Sequence, residues 1–78
     1  MKILFGWPYV YITSSQRMLE KFVIPVEVYI GQNILYHKNH PNNKSEEFIR
    51  CVVHYKNGQI ANHDFHKGYF LTAYELEK

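Results

Sequence analysis

Histidine is the residue type whose spacing first invites a chemical interpretation. His63 and His66 flank Asp64, and His54 precedes them across a turn. Imidazole and carboxylate groups bind zinc or nickel and act as general acids and bases. On a strand, however, His63 and His66 would point to opposite faces, because successive side chains alternate. Since a catalytic zinc normally has three protein ligands, we predict no metal site here.

The chain has one cysteine, Cys51, so it can form neither an intrachain disulfide nor a zinc knuckle of several cysteines. A reducing compartment is therefore expected, and we predict a cytoplasmic location. Cys51 with His54 or His63 would be the nominal nucleophile and base. In the predicted sheet Cys51 faces the core while both histidines face outward. We therefore expect a packing thiol rather than a catalytic one.

No phosphate-binding glycine loop, HExxH or GxSxG motif is present. The sequence lacks these motifs and has a single thiol, so no spacing in it brings catalytic residues together. The sequence predicts a protein that is not an enzyme and that uses no cofactor.

The elements around these residues depend on how the segment 46–65 folds. Ser45 before two glutamates, an apolar spacing and Gly58 beyond Lys56 are compatible with a helix. The β-branched residues of 49–53 and the Asn57-Gly58 pair between two runs favour a hairpin with a two-residue type I′ turn. We favour the hairpin, which would place Arg50 opposite Phe65.

This register divides the hairpin into two faces. One face resembles core and comprises Ile49, Cys51, Val53, Tyr55 and Ile60. The other is cationic and aromatic and comprises Phe48, Arg50, Val52, His54, His63 and Phe65. Such a face suits stacking of unpaired bases, with Arg50 or Lys67 on phosphate. The alternative is a solvated sheet face, or one covered by a helix.

The rest of the chain is predicted to form short strands, helices and turns. Residues 2–12 predict an edge or bulged strand, and Thr13 caps a short helix to about Lys21. Apolar alternation at Ile24, Val26, Val28 and Ile30 predicts a half-buried strand. A turn at 31–33, a returning strand at 34–36, an exposed loop at 37–45 and a terminal helix within 69–78 complete the prediction.

Length and composition limit the fold class. A chain of 78 residues, 46% hydrophobic and 21% charged, forms a single domain, 1–78, with one core. We predict an α+β fold: a small antiparallel sheet of about four to five strands with one or two short helices on one face.

The net charge of +2 falls short of a strongly basic nucleic-acid binder. No apolar run is long enough to span a membrane. The apolar N-terminal segment is interrupted at 6–8 and lacks a cleavage site, so no signal peptide is expected. Abundant Phe, Ile, Asn, Lys and Tyr indicate an AT-rich genome such as that of a phage or mobile element.

Aromatic residues make up 17% of the chain, and these types are enriched where interfaces carry their energy. We therefore expect a small binding protein that contacts a larger host protein as an inhibitor or modulator. A homodimer is a further alternative. The predicted contact residues are Tyr36, His37, Lys38, Arg50, His54, His63, Tyr69 and Tyr74. The alternatives are a single-stranded RNA or DNA binder and a small ribonuclease toxin using His63.

Overall fold

The computed structural model describes residues 2–13, 19–32 and 45–77. In chain order the elements are β1 (Tyr9–Tyr11), β2 (Glu20–Gln32), β3 (Ser45–Tyr55), β4 (Ile60–His66), α1 (Lys67–Ala73) and β5 (Tyr74–Leu76). The strands form one sheet in the order β4-β3-β2-β1-β5, with every neighbouring pair antiparallel. The architecture is a small antiparallel sheet with a short helix, broadly α+β and mostly sheet.

Residues 46–55 form a strand, as the hairpin prediction required, and not a helix. β-Branched side chains such as Ile49 and Val53 fit a pleated surface better than a helix. β3 also pairs with β2 on one side and β4 on the other, so its backbone groups are used by two neighbours.

The turn after β3 differs from the prediction by one residue. The Tyr55 N–H donates to the Gln59 carbonyl at 2.9 Å and the Gly58 N–H to the Tyr55 carbonyl at 3.0 Å, which closes a three-residue loop, 56–58. A type I′ turn needs a positive φ at both central residues. Gly58 has one, at 92°, whereas no non-glycine residue among those described does. The predicted two-residue turn is therefore wrong.

This shift changes which residues share a face. Arg50 pairs with Asp64, Cys51 with His63 and Ile49 with Phe65. A one-residue slip moves every side chain of a strand to the opposite face. His63 and Phe65, predicted beside Arg50, consequently lie on the core side of the sheet.

A bulge interrupts the apolar alternation of β2. The β2–β3 register shifts between Pro25 and Glu27, so Val26 is the extra residue. Before the bulge Ile24 pairs with Val52, and after it Val28 pairs with Ile49. The four alternating apolar residues predicted to share one face are therefore divided between both.

The core lies between the sheet and α1. Phe70 of α1 is completely buried. The other buried core residues are Ile3, Tyr9, Val23, Ile49, Cys51, Val53, Phe65, Ala73 and Tyr74. We call this side of the sheet the inner face. It is covered by apolar and aromatic side chains because α1 returns across it directly after β4.

α1 is shorter than the predicted terminal helix and starts earlier. His66 is its N-cap, since its Nδ1 accepts a hydrogen bond from the Gly68 N–H at 3.1 Å. The helix ends at Ala73. Tyr74 is extended, begins β5 and pairs with Tyr11 of β1. The helix is short because pairing of β5 with β1 satisfies backbone groups of β1 that a longer helix would leave without a strand partner.

The N-terminal predictions are corrected in two places. β1 is not an edge strand, because β2 and β5 flank it. Glu20 and Lys21, predicted to end a helix, belong to β2. Residues 14–18 of that predicted helix lie outside the described part of the chain, as do the predicted returning strand at 34–36 and most of the loop at 37–45. Within the described residues, no helix is long and apolar enough to cross a bilayer.

Candidate functional site: the outer face of the sheet

The sheet has a second surface, which we call the outer face, on the side of β2, β3 and β4 that points away from α1. The cross-strand register brings polar, aromatic and apolar side chains together there. They are Phe22, Ile24, Val26, Glu27, Tyr29, Glu46, Phe48, Arg50, Val52, His54, Ile60, Asn62, Asp64 and His66. The antiparallel pairing of three strands thus assembles residues from across the whole chain.

Arg50 occupies the centre of the outer face. Its Nη1 lies 2.7 Å from Glu27 Oε1 on β2, and its Nε lies 3.7 Å from Asp64 Oδ1 on β4. The guanidinium carbon also lies 4.8 Å from the centroid of the Tyr29 ring, within range of a cation–π interaction. Arg50 is therefore held by contacts with both neighbouring strands.

Tyr29 completes this cluster. Its hydroxyl donates to Asp64 Oδ2 at 2.8 Å. That hydrogen bond raises the pKa of Tyr29, because the carboxylate stabilises the protonated phenol. Tyr29, Arg50 and Asp64 thus form a closed set of contacts, which we call the Arg50 cluster.

A ring pair borders the Arg50 cluster. Tyr29 and Phe48 are cross-strand neighbours with stacked rings 5.7 Å apart, and His66 meets the edge of Phe48 at 5.6 Å. Gly31 makes room for the pair, since a Cβ there would lie 3.2 Å from the Tyr29 ring and 3.3 Å from the Phe48 ring. The missing side chain lets both rings lie close to the sheet.

Among the described residues the charge around the Arg50 cluster is negative. Glu27, Glu46 and Asp64 contribute three carboxylates against the guanidinium of Arg50, a formal charge of −2 with neutral histidines. Glu46 Oε2 lies 3.2 Å from His66 Nε2. Lys21 lies at the far end, 5.8 Å from the Phe22 ring. This half of the outer face opposes the net charge of +2 of the whole chain.

The other half is apolar and aromatic. Phe22 stacks on its cross-strand neighbour His54 with ring centroids 4.6 Å apart. Val26 is 50% exposed and Ile60 is 62% exposed. An open hollow of about 590 Å³ lies beside the Arg50 cluster, lined by Val26, Arg50, Val52, Asn62 and Asp64 of the outer face and, on the edge strand β4, by His63. The hollow is large enough to receive a side chain of another molecule.

The predicted contact residues are distributed over several surfaces. Arg50 and His54 lie on the outer face, and Tyr69 is exposed on α1. His63 pairs with Cys51 on the inner side, where its ring meets the Phe65 ring at 4.4 Å. Tyr74 is buried, with its hydroxyl donating to Glu20. The remaining three, Tyr36, His37 and Lys38, lie outside the described residues.

Sequence reasoning missed Glu27, Tyr29 and Asp64 as members of the site. Alternation along β2 carried part of the signal, because it placed Glu27 and Tyr29 opposite the apolar residues. Placing Asp64 on this face required the correct pairing register of β3 and β4. Lys56-Asn57-Gly58 also fits a three-residue loop with glycine in the left-handed region, and that reading would have found it.

The groups considered for catalysis do not converge. Cys51 is completely buried, and burial, together with the nearby charge of Asp64, raises the pKa of its thiol to about 12. Its sulfur lies 3.7 Å from the Ile49 carbonyl. Over the three described stretches of chain, no group of three or more His, Cys, Asp or Glu is placed to hold a metal ion.

No protein-family model matches this chain, and no curated protein or solved structure matches it. The geometry and chemistry of the outer face are therefore the basis for assigning a function.

Proposed function

We propose that this chain is a small non-enzymatic binding protein that docks its outer face onto a basic surface of a larger protein. The Arg50 cluster is the observation that carries the proposal. Tyrosine and arginine are the residue types that most often dominate binding energy at the centre of interfaces. Here both are held in place by neighbouring side chains, so docking would immobilise them at a reduced cost in entropy.

Charge defines the chemistry of the partner. The surplus of carboxylates around Arg50 is complementary to lysine and arginine side chains. The adjacent hollow and the exposed Val26 and Ile60 suit apolar side chains between those cations. We favour an inhibitor or modulator of a host protein, since occupying a surface requires no catalytic group.

The alternative of single-stranded RNA or DNA binding is less well supported. Phosphate binding needs free cations, whereas Arg50 contacts two carboxylates. Those carboxylates would also repel a phosphate backbone. In a fluorescence titration with mixed oligonucleotides at low salt, we expect no binding. Affinity that is strong at low salt and falls steeply as salt is added would favour the nucleic-acid alternative.

The alternative of a small ribonuclease toxin is also less well supported. His66 pairs with Phe48 on the outer face, whereas His63 pairs with Cys51 on the inner side, so the register does not bring these two imidazoles together. The toxin hypothesis predicts growth arrest on expression and its loss in His63→Ala. We expect expression to be harmless.

The test of the proposal is affinity capture from a nuclease-treated lysate with three forms of the chain as bait. Tyr29→Ala removes the central ring of the outer face, and Tyr69→Ala removes an exposed tyrosine from α1 as the matched control. We expect a partner captured by the wild type and by Tyr69→Ala, with affinity for Tyr29→Ala weakened by about 2 kcal/mol, roughly 30-fold. Equal capture by all three, or loss only with Tyr69→Ala, would contradict docking through the outer face.

A further inference from the structure

Among the described residues β4 is the outermost strand of the sheet, and its one charged side chain, Asp64, is held by the Arg50 cluster. Its seven residues, Ile60–His66, contain neither proline nor lysine, and its register with β3 has no bulge. Within the described residues β4 has a sheet neighbour on one side only. Natural edge strands of this length are normally blocked by such devices because they offer unpaired backbone groups.

The hairpin register identifies which backbone groups face outward. Tyr55 and Gln59 are joined by a backbone hydrogen bond. Because hydrogen-bonded and non-hydrogen-bonded pairs alternate in an antiparallel ladder, Ala61, His63 and Phe65 bond to β3. The N–H and C=O groups of Ile60, Asn62, Asp64 and His66 therefore point to the open edge.

We infer that this edge pairs with β4 of a second copy of the chain, antiparallel, about a twofold axis at His63. In that register every outward N–H meets an outward carbonyl of the other copy. Asn62 lies opposite Asp64 of the second copy, and the symmetry repeats this pair. An amide donor facing a carboxylate is a complementary match, so the edge recognises itself.

Neighbouring registers are less favourable. Opposite residues must lie on the same face, so the axis passes through a residue, and the nearest alternatives are Asn62 and Asp64. Centring on Asp64 places two Asp64 carboxylates against each other. Centring on Asn62 places Ile60 against Asp64. The register about His63 avoids both conflicts and uses the full strand.

The paired molecule would be one continuous ten-stranded sheet with both outer faces on the same side. This inference does not depend on what the outer face binds. A single strand pair forms a small interface, below the roughly 1,600 Å² of a typical stable complex, so the dimer should be weak. It would nevertheless present two Arg50 clusters to a partner and so increase avidity.

The first test is sedimentation velocity from about 10 µM to about 1 mM, a range that brackets weak association. We expect the wild type to shift from monomer to dimer. Asn62→Pro removes an N–H that faces the edge and leaves the ladder to β3 intact, so it should stay monomeric. Asn62→Ala keeps that N–H and should still dimerise. A monomeric wild type at the highest concentration, or a dimeric Asn62→Pro with a native circular dichroism spectrum, overturns the inference.

A second test does not use proline and so holds even if Asn62→Pro fails to fold. Asn62→Asp places carboxylates opposite each other at both symmetric pairs and should weaken the dimer at least tenfold. Adding Asp64→Asn to Asn62→Asp restores an amide opposite a carboxylate and should restore dimerisation. Dimerisation of Asn62→Asp as tight as that of the wild type, or no recovery in the double variant, overturns the proposed register.

Discussion

At the scale of single residues, Arg50 illustrates why the outer face is better understood as a binding surface than as a source of stability. Its ion pairs with Glu27 and Asp64 are close to half exposed. Exposed ion pairs contribute only about 0 to 1 kcal/mol to folding. Their effect is to hold the guanidinium over the Tyr29 ring. The same contacts leave Arg50 little charge to offer a phosphate.

The contact between Tyr29 and Asp64 can be tested by measuring the pKa of the Tyr29 hydroxyl. The hydrogen bond to Asp64 raises the pKa of Tyr29, so Asp64→Asn should lower that pKa by removing the charge that favours the protonated form. NMR titration of the Tyr29 ring signals reports it directly. Tyr69, whose ring stacks on Phe65, serves as the internal control. An unchanged Tyr29 pKa would show that the two side chains are not bonded.

Cys51 provides a second prediction for a single residue. Because burial raises its pKa from about 9 to about 12, the thiol should resist alkylation in the folded protein and react after unfolding. The raised pKa also makes stability depend on pH. The unfolded chain loses this proton near pH 9 while the folded chain keeps it, so the stabilising contribution of the protonated thiol is complete below pH 9 and is lost towards pH 12.

The measurement is the free energy of unfolding of the wild type minus that of Cys51→Ala, from pH 8 to the highest pH at which both fold. The subtraction removes the effect of other titrating groups. We expect the difference to fall above pH 9 with a slope approaching about 1.4 kcal/mol per pH unit. A flat difference, or rapid alkylation of the folded protein, would contradict the burial of Cys51.

At the scale of elements, β3 was predictable and its turn was not. The β-branched residues of 49–53 favour a strand whatever follows them. Lys56-Asn57-Gly58, by contrast, fits both a two-residue and a three-residue loop, and only the backbone angles decide between them. For that reason Asp64, rather than the predicted Phe65, lies opposite Arg50. The face predicted to be cationic consequently has a negative half among the described residues.

The turn can be tested by substitution at Gly58. Its φ of 92° lies in the left-handed region, which costs an ordinary L-residue about 1–2 kcal/mol. We expect Gly58→Ala to lower the free energy of urea unfolding by about 1 kcal/mol, and Gly58→Asn to lower it less, since asparagine tolerates this region. No atom lies within 4 Å of the added Cβ, so a clash would not explain the loss. Equal stability of all three forms would contradict the left-handed glycine.

Other elements depended on contacts distant in sequence. The bulge at Val26 is a property of the β2–β3 ladder, and no local pattern predicts it. Tyr74 had helical spacing with its neighbours but forms a strand because β1 offers it a partner. β1 looked like an edge because of Gly6 and Pro8, yet both precede the strand itself.

At the scale of the whole molecule, the described part of the chain has one short helix that covers one face of a five-stranded sheet. Antiparallel sheets commonly leave the other face to solvent, with polar side chains alternating against the core. Here the second face brings together aromatic rings and carboxylates, and in the described structure β4 has a strand partner on one side only. Asp64 belongs to both features, since its side chain joins the Arg50 cluster and its backbone faces the edge.

Both proposals therefore rest on the register of β3 against β4. Non-hydrogen-bonded antiparallel pairs bring their Cα atoms to about 4.5 Å, close enough for a strong nuclear Overhauser effect between the Hα atoms. In this structure those pairs include Arg50 with Asp64 and Val52 with Asn62. The measurement that tests the account most directly is an NMR spectrum of these Hα contacts. We predict a cross-peak between Arg50 and Asp64. A cross-peak between Cys51 and Asp64 instead, as a two-residue turn requires, would contradict it.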